Sequence, residues 1–338
     1  MTRFVFILCC LFLFKPSTSA QKYTFQRPKM GSPFVITVYT DDSLKLLKII
    51  DLAYKRVDTL NQIFSDYLDN SEINSLSKNA KPLIWQPISA DLCHLLNLSK
   101  AAFNDSNGAY DVTIAPVIKL WRKARKEKVL PNKNDLKTAL SKVGFNKIEV
   151  DKSLEIRFFT EGVSFDFGGI VKGFAAQEVV NLLTVNGFPI CLVDAGGDLV
   201  LGAPPVSKDT MNRGWRIGVS VPNAENQLIP AFLYLQNQAV ATSGDLYQSV
   251  EINGKTYSHI VNPKTGLGLT HRRNITVIAP DGAQADWLAT ACSVLCIKKA
   301  LKLVKKYPNV DVLILENRKG KIKHWQSRGL SKYLRIID

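Results

Sequence analysis

The stretch Ala239–Pro263 constrains the fold most, because a β-hairpin signal there leads directly into a histidine-bearing segment. Asn253-Gly254 lies between alternating apolar and polar residues, which is the strongest short-range signal of a hairpin. On the return strand, Tyr257, His259 and Val261 would share one face, so His259 is expected inside a strand. That position suits either a core histidine bonded to backbone or a histidine that faces a ligand.

The rest of the chain mixes helix and strand patterns without regular βαβ alternation. An amphipathic helix is predicted after Ser43, and strand pairs are predicted at Ile148–Val150 with Leu154–Phe158 and at Val310–Leu315 with Ile322–Trp325. No internal repeat or low-complexity linker divides the chain. The pattern predicts one α+β domain over residues 30–338, built mainly from antiparallel strands packed with helices.

The N-terminus has the pattern of a secretory signal peptide. Arg3 precedes the apolar run Val5–Phe14, which is too short to span a bilayer, and small residues lead up to Ala20. Residues 1–20 are therefore expected to be cleaved, with a buried N-terminal helix as the alternative. Residues 21–29 would form a short tether or an edge strand. This pattern predicts an exported protein.

The formal net charge is +15, with 44 Lys and Arg against 29 Asp and Glu. The positive residues are spread over several segments, and the densest run, Trp121–Lys128, is more typical of a solvated helix end than of a nucleic-acid patch. The surplus favours anionic ligands or membrane surfaces, and no nucleic-acid partner is expected.

Four cysteines follow the leader: Cys93, Cys191, Cys292 and Cys296. None forms a Cys-x-x-Cys pair, and the four histidines of the chain do not cluster, so no zinc pattern is present. Cys292 and Cys296 are predicted four residues apart on one helix, a spacing that does not favour a disulfide. Buried thiols are expected.

A glycine turn in Ser164–Ala175 is the first candidate site. Asp166 would end a strand, Gly168-Gly169 would turn the chain, and Lys172 would start a helix. A helix start with a lysine suits phosphate, as do the small donors of the turn predicted at Thr242–Gly244. The spacing matches neither a Walker loop nor a dinucleotide-binding glycine motif, so a plain tight turn is the alternative.

The second candidate is the pair Asp286 and Thr290, which are spaced i and i+4 and so share one helix face. A carboxylate and a hydroxyl offer the oxygen ligands that Mg²⁺ prefers. Alternatively, Asp286 charges the first turn of its helix and Thr290 packs.

A set of short motifs occurs in order along the chain. They are Met30-Gly-Ser, Ser65-Asp-Tyr67 with Ser71-Glu72, Gly108-Ala-Tyr-Asp111, Asp166-Phe-Gly-Gly-Ile-Val-Lys-Gly173, Ala195-Gly-Gly-Asp198, Thr242-Ser-Gly244, Ser258-His-Ile-Val-Asn-Pro263, and Ala285-Asp286 with Ala289-Thr290. Each is weak alone, but the ordered set is specific. From Met30 to the C-terminus, the chain resembles the ApbE family, the FAD:protein FMN transferases.

The resemblance implies an exported, periplasmic bacterial enzyme, with association at the inner membrane left open. Such an enzyme splits FAD and attaches FMN through a phosphoester to a Thr or Ser hydroxyl of an acceptor protein, releasing AMP. A subunit of a membrane redox complex is one candidate acceptor. His259 falls where the family has its proposed base. The Mg²⁺ ligands would be the Gly169 carbonyl, Asp286 and Thr290. The positions that would contact FAD are Met30, Tyr67, Ala109, Tyr110, Asp111, Asp166, Lys172 and Val261.

Two features depart from many relatives. No lipid-anchor cysteine follows the leader, and Ala289 stands where some relatives carry a second acid. Two other functions use the same residues. Water in place of the acceptor hydroxyl would make the protein an Mg²⁺-dependent FAD pyrophosphatase. A third possibility is a non-catalytic periplasmic flavin-binding protein, against which the retention of His259, Asp286, Thr290 and Lys172 argues.

Overall fold

The computed structural model describes residues 20–206, 213–223, 225, 227–244, 249–318 and 320–336, so the predicted leader lies outside the described residues except for Ala20. The helices are α1 (Ser43–Phe64), α2 (Glu72–Asn79), α3 (Ala90–Asp105), α4 (Ala115–Glu127), α5 (Lys133–Leu140), α6 (Val171–Val185), α7 (Gly282–Val294) and α8 (Ile297–Val304). Short 3₁₀ helices lie at Phe145–Lys147 and Arg328–Lys332.

The strands fall into one large and three small sheets. They are β1 (Gln21–Lys29), β2 (Ser32–Thr40), β3 (Gln86–Pro87), β4 (Ile148–Asp151), β5 (Glu155–Phe158), β6 (Cys191–Asp194), β7 (Leu199–Leu201), β8 (Trp215–Pro222), β9 (Leu228–Leu235), β10 (Ala239–Gly244), β11 (Ser249–Ile252), β12 (Lys255–Ser258), β13 (Arg272–Ala279), β14 (Asp311–Arg318), β15 (Lys321–Gln326) and β16 (Leu334–Ile336).

An eight-stranded sheet, in the order β1-β2-β6-β7-β10-β13-β14-β15, is the frame of the fold. Every neighbouring pair in it is antiparallel. The smaller sheets are β3-β5-β4, β16-β9-β8 and the hairpin β11-β12. This architecture confirms the predicted α+β class with mainly antiparallel strands.

The large sheet separates two apolar cores. Ala239 and Ala241 of β10 join a core made with α1, α6 and α7, whereas Val240 joins a second core with Ile278 of β13 and Leu233 of β9. Successive residues of a strand point to opposite faces, so alternation along β10 supplies both cores. The result is three layers: helices, the large sheet, and the small sheet of β8, β9 and β16.

Helices α6 and α7 lie in unusually close contact. A Cβ on Gly173 of α6 would lie 2.0 Å from the carbonyl oxygen of Gly282 in α7, so only glycine fits there. The approach brings Lys172, next to Gly173, toward Asp286 on α7, whose carboxylate accepts the Gly173 N–H at 3.2 Å.

Helix α4 anchors the segment that follows the β11–β12 hairpin. Trp121 is buried, its indole nitrogen donates to the Gly266 carbonyl at 2.7 Å, and its ring lies 5.2 Å from that of Tyr257. The positive run Trp121–Lys128 thus differs from the solvated helix end that its charge predicted. Its first residues are inserted into the fold, and only its later residues end the helix in solvent.

Residues 21–29 correct the expectation of a tether. They form β1, which pairs with β2 along its whole length, so the edge-strand alternative is the one observed. Tyr23 and Phe25 pack against the helical core, and Arg27 is ion-paired with Asp51 of α1 at 2.6 Å. The alternating apolar residues of this edge strand supply the burial that a tether would lack.

The single helix predicted to carry both Cys292 and Cys296 is divided in two, because α7 ends at Val294. Cys296 is therefore the N-cap of α8 and is exposed, not stacked on Cys292. Cys93, Cys191 and Cys292 are buried free thiols as predicted, and burial raises the pKa of Cys191 and of Cys292 to about 12. None of the described helices has the length and apolar character needed to cross a bilayer.

Candidate active site

A cleft of about 700 Å³ collects the chemistry-bearing segments of the chain. The β1–β2 turn, the loop after α1, helix α4, the glycine turn before α6, and the segment after β12 all form its wall. Of the residues predicted to contact FAD, all line it: Met30, Tyr67, Ala109, Tyr110, Asp111, Asp166, Lys172 and Val261. His259, Gly169 and Thr290 line it as well, whereas Asp286 lies buried behind it.

His259 lies in the cleft wall, but not inside a strand as predicted. Strand β12 ends at Ser258, and His259 occupies a bend, after which Val261 makes a single bridge to Gly268. The bend is fixed because the Ser258 hydroxyl accepts the Ile260 N–H at 3.1 Å. The hairpin itself forms as predicted, with Asn253 and Gly254 at its turn.

The segment Thr242–Gly244, by contrast, is more regular than the predicted turn. Thr242–Gly244 is the end of strand β10, paired with β13, and not a turn. Ser243 alone of the three residues lines the cleft.

The segment before the glycine turn is extended but is not a regular strand. Ser164 makes one bridge to Ile114, and the Asp166 N–H donates to the Val112 carbonyl at 2.7 Å. The Asp166 carboxylate accepts the Gly168 N–H at 2.8 Å, which shapes the turn into α6. Burial raises the pKa of Asp166, and the nearby Asp66 carboxylate raises it further.

The carboxyl groups of Asp198 and Asp286 interact electrostatically with Lys172, although of these three residues only Lys172 lines the cleft. Burial raises the pKa of Asp198 to about 7, and Lys172 acts against that rise. Burial also raises the pKa of Asp286 well above its ordinary value, and the Asp198 carboxylate adds to the effect. Asp286 is only 6% exposed, so it is not the helix-surface acid that its spacing alone would suggest.

The three residues that the family resemblance assigns to Mg²⁺ lie near the start of α6, where α7 packs against it. A Cβ on Gly169 would lie 2.7 Å from the Thr290 hydroxyl oxygen, so this backbone and that side chain are neighbours. Asp286 is one helical turn before Thr290 and is bonded to Gly173. A carbonyl, a hydroxyl and a carboxylate that burial disfavours as an anion fit a hard divalent cation.

In the described part of the chain, no group of three or more His, Cys, Asp or Glu side chains could hold a metal. Of the three residues assigned to the cation, only Asp286 carries a carboxylate. Mg²⁺ suits such a site because it usually keeps several waters or phosphate oxygens.

Tyr110 and Asp111 are more deeply placed than the motif alone indicates. Tyr110 is 4% exposed, and its ring lies 6.1 Å from that of Trp287 on α7. The Asp111 carboxylate accepts the N–H and the hydroxyl of Thr113, and burial raises the pKa of Asp111. These contacts join the loop after α3 to the back of the cleft.

The sequence interpretation assigned no role to three charged residues in or near the cleft. Asp198 appeared only within a motif and Asp66 only beside Tyr67, while Arg122 was included in a run taken for a solvated helix end. Arg122 is ion-paired with Asp66 and lies 3.6 Å from Asp166. The one sequence signal was its position directly after a large apolar residue, Trp121, on an amphipathic helix.

Antiparallel strands packed with helices, and a cleft with a glycine turn and a lysine at a helix start, define an α+β protein with a site suited to a phosphate-bearing nucleotide. The ApbE family profile matches residues 30–314, and the chain belongs to that family. The predicted resemblance is thus confirmed.

Individual relatives agree with the family assignment. An FAD:protein FMN transferase of Haemophilus influenzae is 30% identical over 304 residues, covering 86% of each chain. One of Treponema pallidum is 28% identical over 306 residues, covering 86% of this chain and 83% of that one. The solved flavin transferase ApbE from Vibrio cholerae has a TM-score of 0.82 at 21% identity, covering 93% of this chain and 99% of that one.

Proposed function

We propose that this protein is an FAD:protein FMN transferase that moves FMN from FAD to a Thr or Ser hydroxyl of an acceptor protein. The observation that carries the proposal is the convergence of Lys172, His259 and the exposed Tyr67 ring in one cleft. In support, relatives of 28% and 30% identity bear that activity in their names.

The transfer would form one bond and break one bond. The acceptor hydroxyl oxygen would attack the phosphorus on the FMN side of the pyrophosphate, and AMP would leave with the bridging oxygen. His259 would accept the hydroxyl proton. Such transfers depend on positioning and charge stabilisation more than on covalent protein chemistry.

The charges of this chain suit that task. Lys172 lies at the helix start, 3.5 Å from where a Cβ on Gly196 would stand, and would bind a phosphate oxygen. The Gly169 carbonyl, Asp286 and Thr290 would hold Mg²⁺. When bound, that ion would supply positive charge to the pyrophosphate and to the leaving group. Asp198 would orient the Lys172 ammonium by its charge.

We further propose that the protein is exported and acts on an acceptor outside the cytoplasm. The support is the signal-peptide pattern of residues 1–20. The acceptor would present a Thr or Ser hydroxyl to His259 and Ser243, which both line the cleft.

One experiment separates the proposed function from its alternatives. The protein without residues 1–20 is incubated with FAD, Mg²⁺ and a candidate acceptor domain, and intact mass and nucleotide products are measured. A gain of one FMN on the acceptor, with release of AMP, supports transfer. Free FMN and AMP without a mass gain would indicate a pyrophosphatase, and unchanged bound FAD would indicate a binding protein.

A Lys172→Ala variant tests the site assignment in the same assay. We expect weaker FAD binding or slower FAD cleavage. If both quantities equal those of the wild type, the glycine turn has a structural role and Lys172 has no part in the reaction.

A further inference from the structure

Arg122 connects three parts of the cleft wall. It belongs to none of the sequence motifs, and the proposed reaction gives it no role. It projects from α4, forms an ion pair with Asp66 in the loop after α1, and lies 3.6 Å from Asp166 before the glycine turn. The centre of its guanidinium also lies 4.2 Å from the centroid of the Tyr67 ring. Its side chain is 26% exposed, so these contacts are partly shielded from water.

Tyr67 is an unusual partner because it is 76% exposed while it lines the cleft. The loop backbone around it is fixed: the Tyr67 N–H donates to the Ser65 hydroxyl, and Asn74 donates to the Leu68 carbonyl at 2.9 Å. An exposed tyrosine side chain would still sample several rotamers. Stacking of a guanidinium on one face of the ring limits that freedom and leaves most of the ring surface open.

Arg122 also balances charge where an anionic ligand would lie. Asp66 and Asp166 are close enough that the Asp66 carboxylate raises the pKa of Asp166, while Arg122 acts in the opposite direction. Without a cation between them, the two carboxyl groups would disfavour a pyrophosphate in the same cleft by like-charge repulsion.

We infer that Arg122 is a positioning residue for the dinucleotide substrate. Its guanidinium holds the Tyr67 ring so that the open face of the ring stacks on an aromatic ring system of FAD. This inference rests on the proposed function, because it takes FAD as the ligand of the cleft. It assigns Arg122 an action through Tyr67, not a contact with the reacting atoms.

A competing role for Arg122 is a direct bond to the ligand. The Arg122 Nε is buried and has no hydrogen-bond partner in the described part of the chain. A direct bond from this atom to FAD would persist when the Tyr67 ring is removed, whereas a positioning role would not. The two roles therefore differ in a double-mutant cycle.

The cycle uses the whole mature chain and measures the Kd of FAD by flavin fluorescence in EDTA. We expect Arg122→Ala to raise Kd roughly 3- to 30-fold, the range for a partly shielded cation–π contact. In a Tyr67→Ala background, the same change should add less than about twofold. Lys126→Ala removes a charge from the exposed side of α4 and should leave Kd unchanged.

Turnover supplies a second readout. Arg122→Ala should raise the KM for FAD while kcat stays within about twofold, because Lys172 and His259 are untouched. If Arg122→Ala fails to fold by its melting temperature, Arg122→Lys takes its place in the cycle. Lysine keeps a charge for Asp66 and Asp166 but loses the planar stack.

An equal effect of Arg122→Ala with and without the Tyr67 ring would overturn the inference, as would no effect at all. FAD binding and FMN transfer by the wild-type protein distinguish failure of this inference from failure of the proposed function. FMN transfer by the wild type with additive Arg122 and Tyr67 effects refutes the positioning role alone. Tight FAD binding and coupling without any transfer refutes the transferase alone, and absence of FAD binding by the wild type refutes both.

Discussion

At the scale of single residues, His259 is the group whose role is most open to a direct test. It lies in a bend of the cleft wall, beside Ile260 and Val261. As a general base, it would act only in proton transfer from the acceptor hydroxyl. His259→Ala should therefore slow single-turnover transfer about 10²- to 10⁴-fold and change the Kd of FAD little.

The control for this variant is His324→Ala, which removes an exposed imidazole from β15. Transfer and melting temperature should both match the wild type. A His259→Ala protein that melts at a lower temperature but transfers FMN at the normal rate would show that this histidine is structural.

The raised pKa of Asp198 leads to a prediction about how the free energy of unfolding depends on pH. Its pKa is raised by burial to about 7, from an ordinary value of about 3.9 in an unfolded chain. Between these values the folded state binds more protons than the unfolded state, so the free energy of unfolding falls as pH rises through this window. The loss would be up to about 4 kcal/mol for this carboxyl, and Asp286 acts in the same direction.

Asp198→Asn should flatten that dependence. The measurement is urea denaturation in EDTA at pH 5 and pH 8, with Asp69→Asn as a variant of an exposed carboxyl. The idea fails if the wild-type and Asp198→Asn proteins lose the same free energy of unfolding between the two pH values.

At the scale of elements, the contact of α6 with α7 controls the site. A Cβ on Gly173 would meet the Gly282 carbonyl at 2.0 Å, so Gly173→Ala must push the two helices apart. We expect a loss of about 3 kcal/mol in unfolding free energy, together with weaker FAD binding. The shift would also break the bond between Asp286 and the Gly173 N–H.

Gly218→Ala in β8 is the matched control for this prediction. A Cβ there meets nothing within 4 Å, and the change should alter the unfolding free energy by less than about 0.5 kcal/mol. Equal stability of the two alanine variants, measured by urea denaturation, would show that α6 and α7 can separate without cost.

At the scale of the whole molecule, the cleft draws on segments from Met30 to Val294, so ligand binding should stabilise the entire fold. Free FAD at about 100 times its Kd would add about 2.7 kcal/mol to the free energy of unfolding. The melting temperature should then rise by roughly 4 °C, because the unfolding entropy of a chain of this length is large. Riboflavin, which lacks the pyrophosphate, should raise the melting temperature much less at the same concentration. Equal shifts with FAD and riboflavin would argue against a phosphate-binding site in the cleft.

Local signals in the sequence were enough to predict several features of the fold and of the cleft. Asn253-Gly254 predicted its hairpin because the two-residue turn needs left-handed backbone, and Asn253 adopts it. The mixture of helix and strand patterns predicted the α+β class, and the ordered motifs predicted the ApbE family and a set of residues that line one cleft. These features depend on neighbouring residues or on motif order, which can be read along the chain.

The burial and pairing of the charged groups could not be predicted from the sequence and are seen only in the folded chain. Asp286 and Thr290 were predicted from their spacing, but the burial of Asp286 arises from the glycine contact between α6 and α7. The spacing of Cys292 and Cys296 likewise did not predict that one helix ends and another begins between them. Arg122 looked like part of a solvated helix end. Its contacts with Asp66 and Tyr67 join segments more than 50 residues apart, and such pairings are set by packing, which no local pattern encodes.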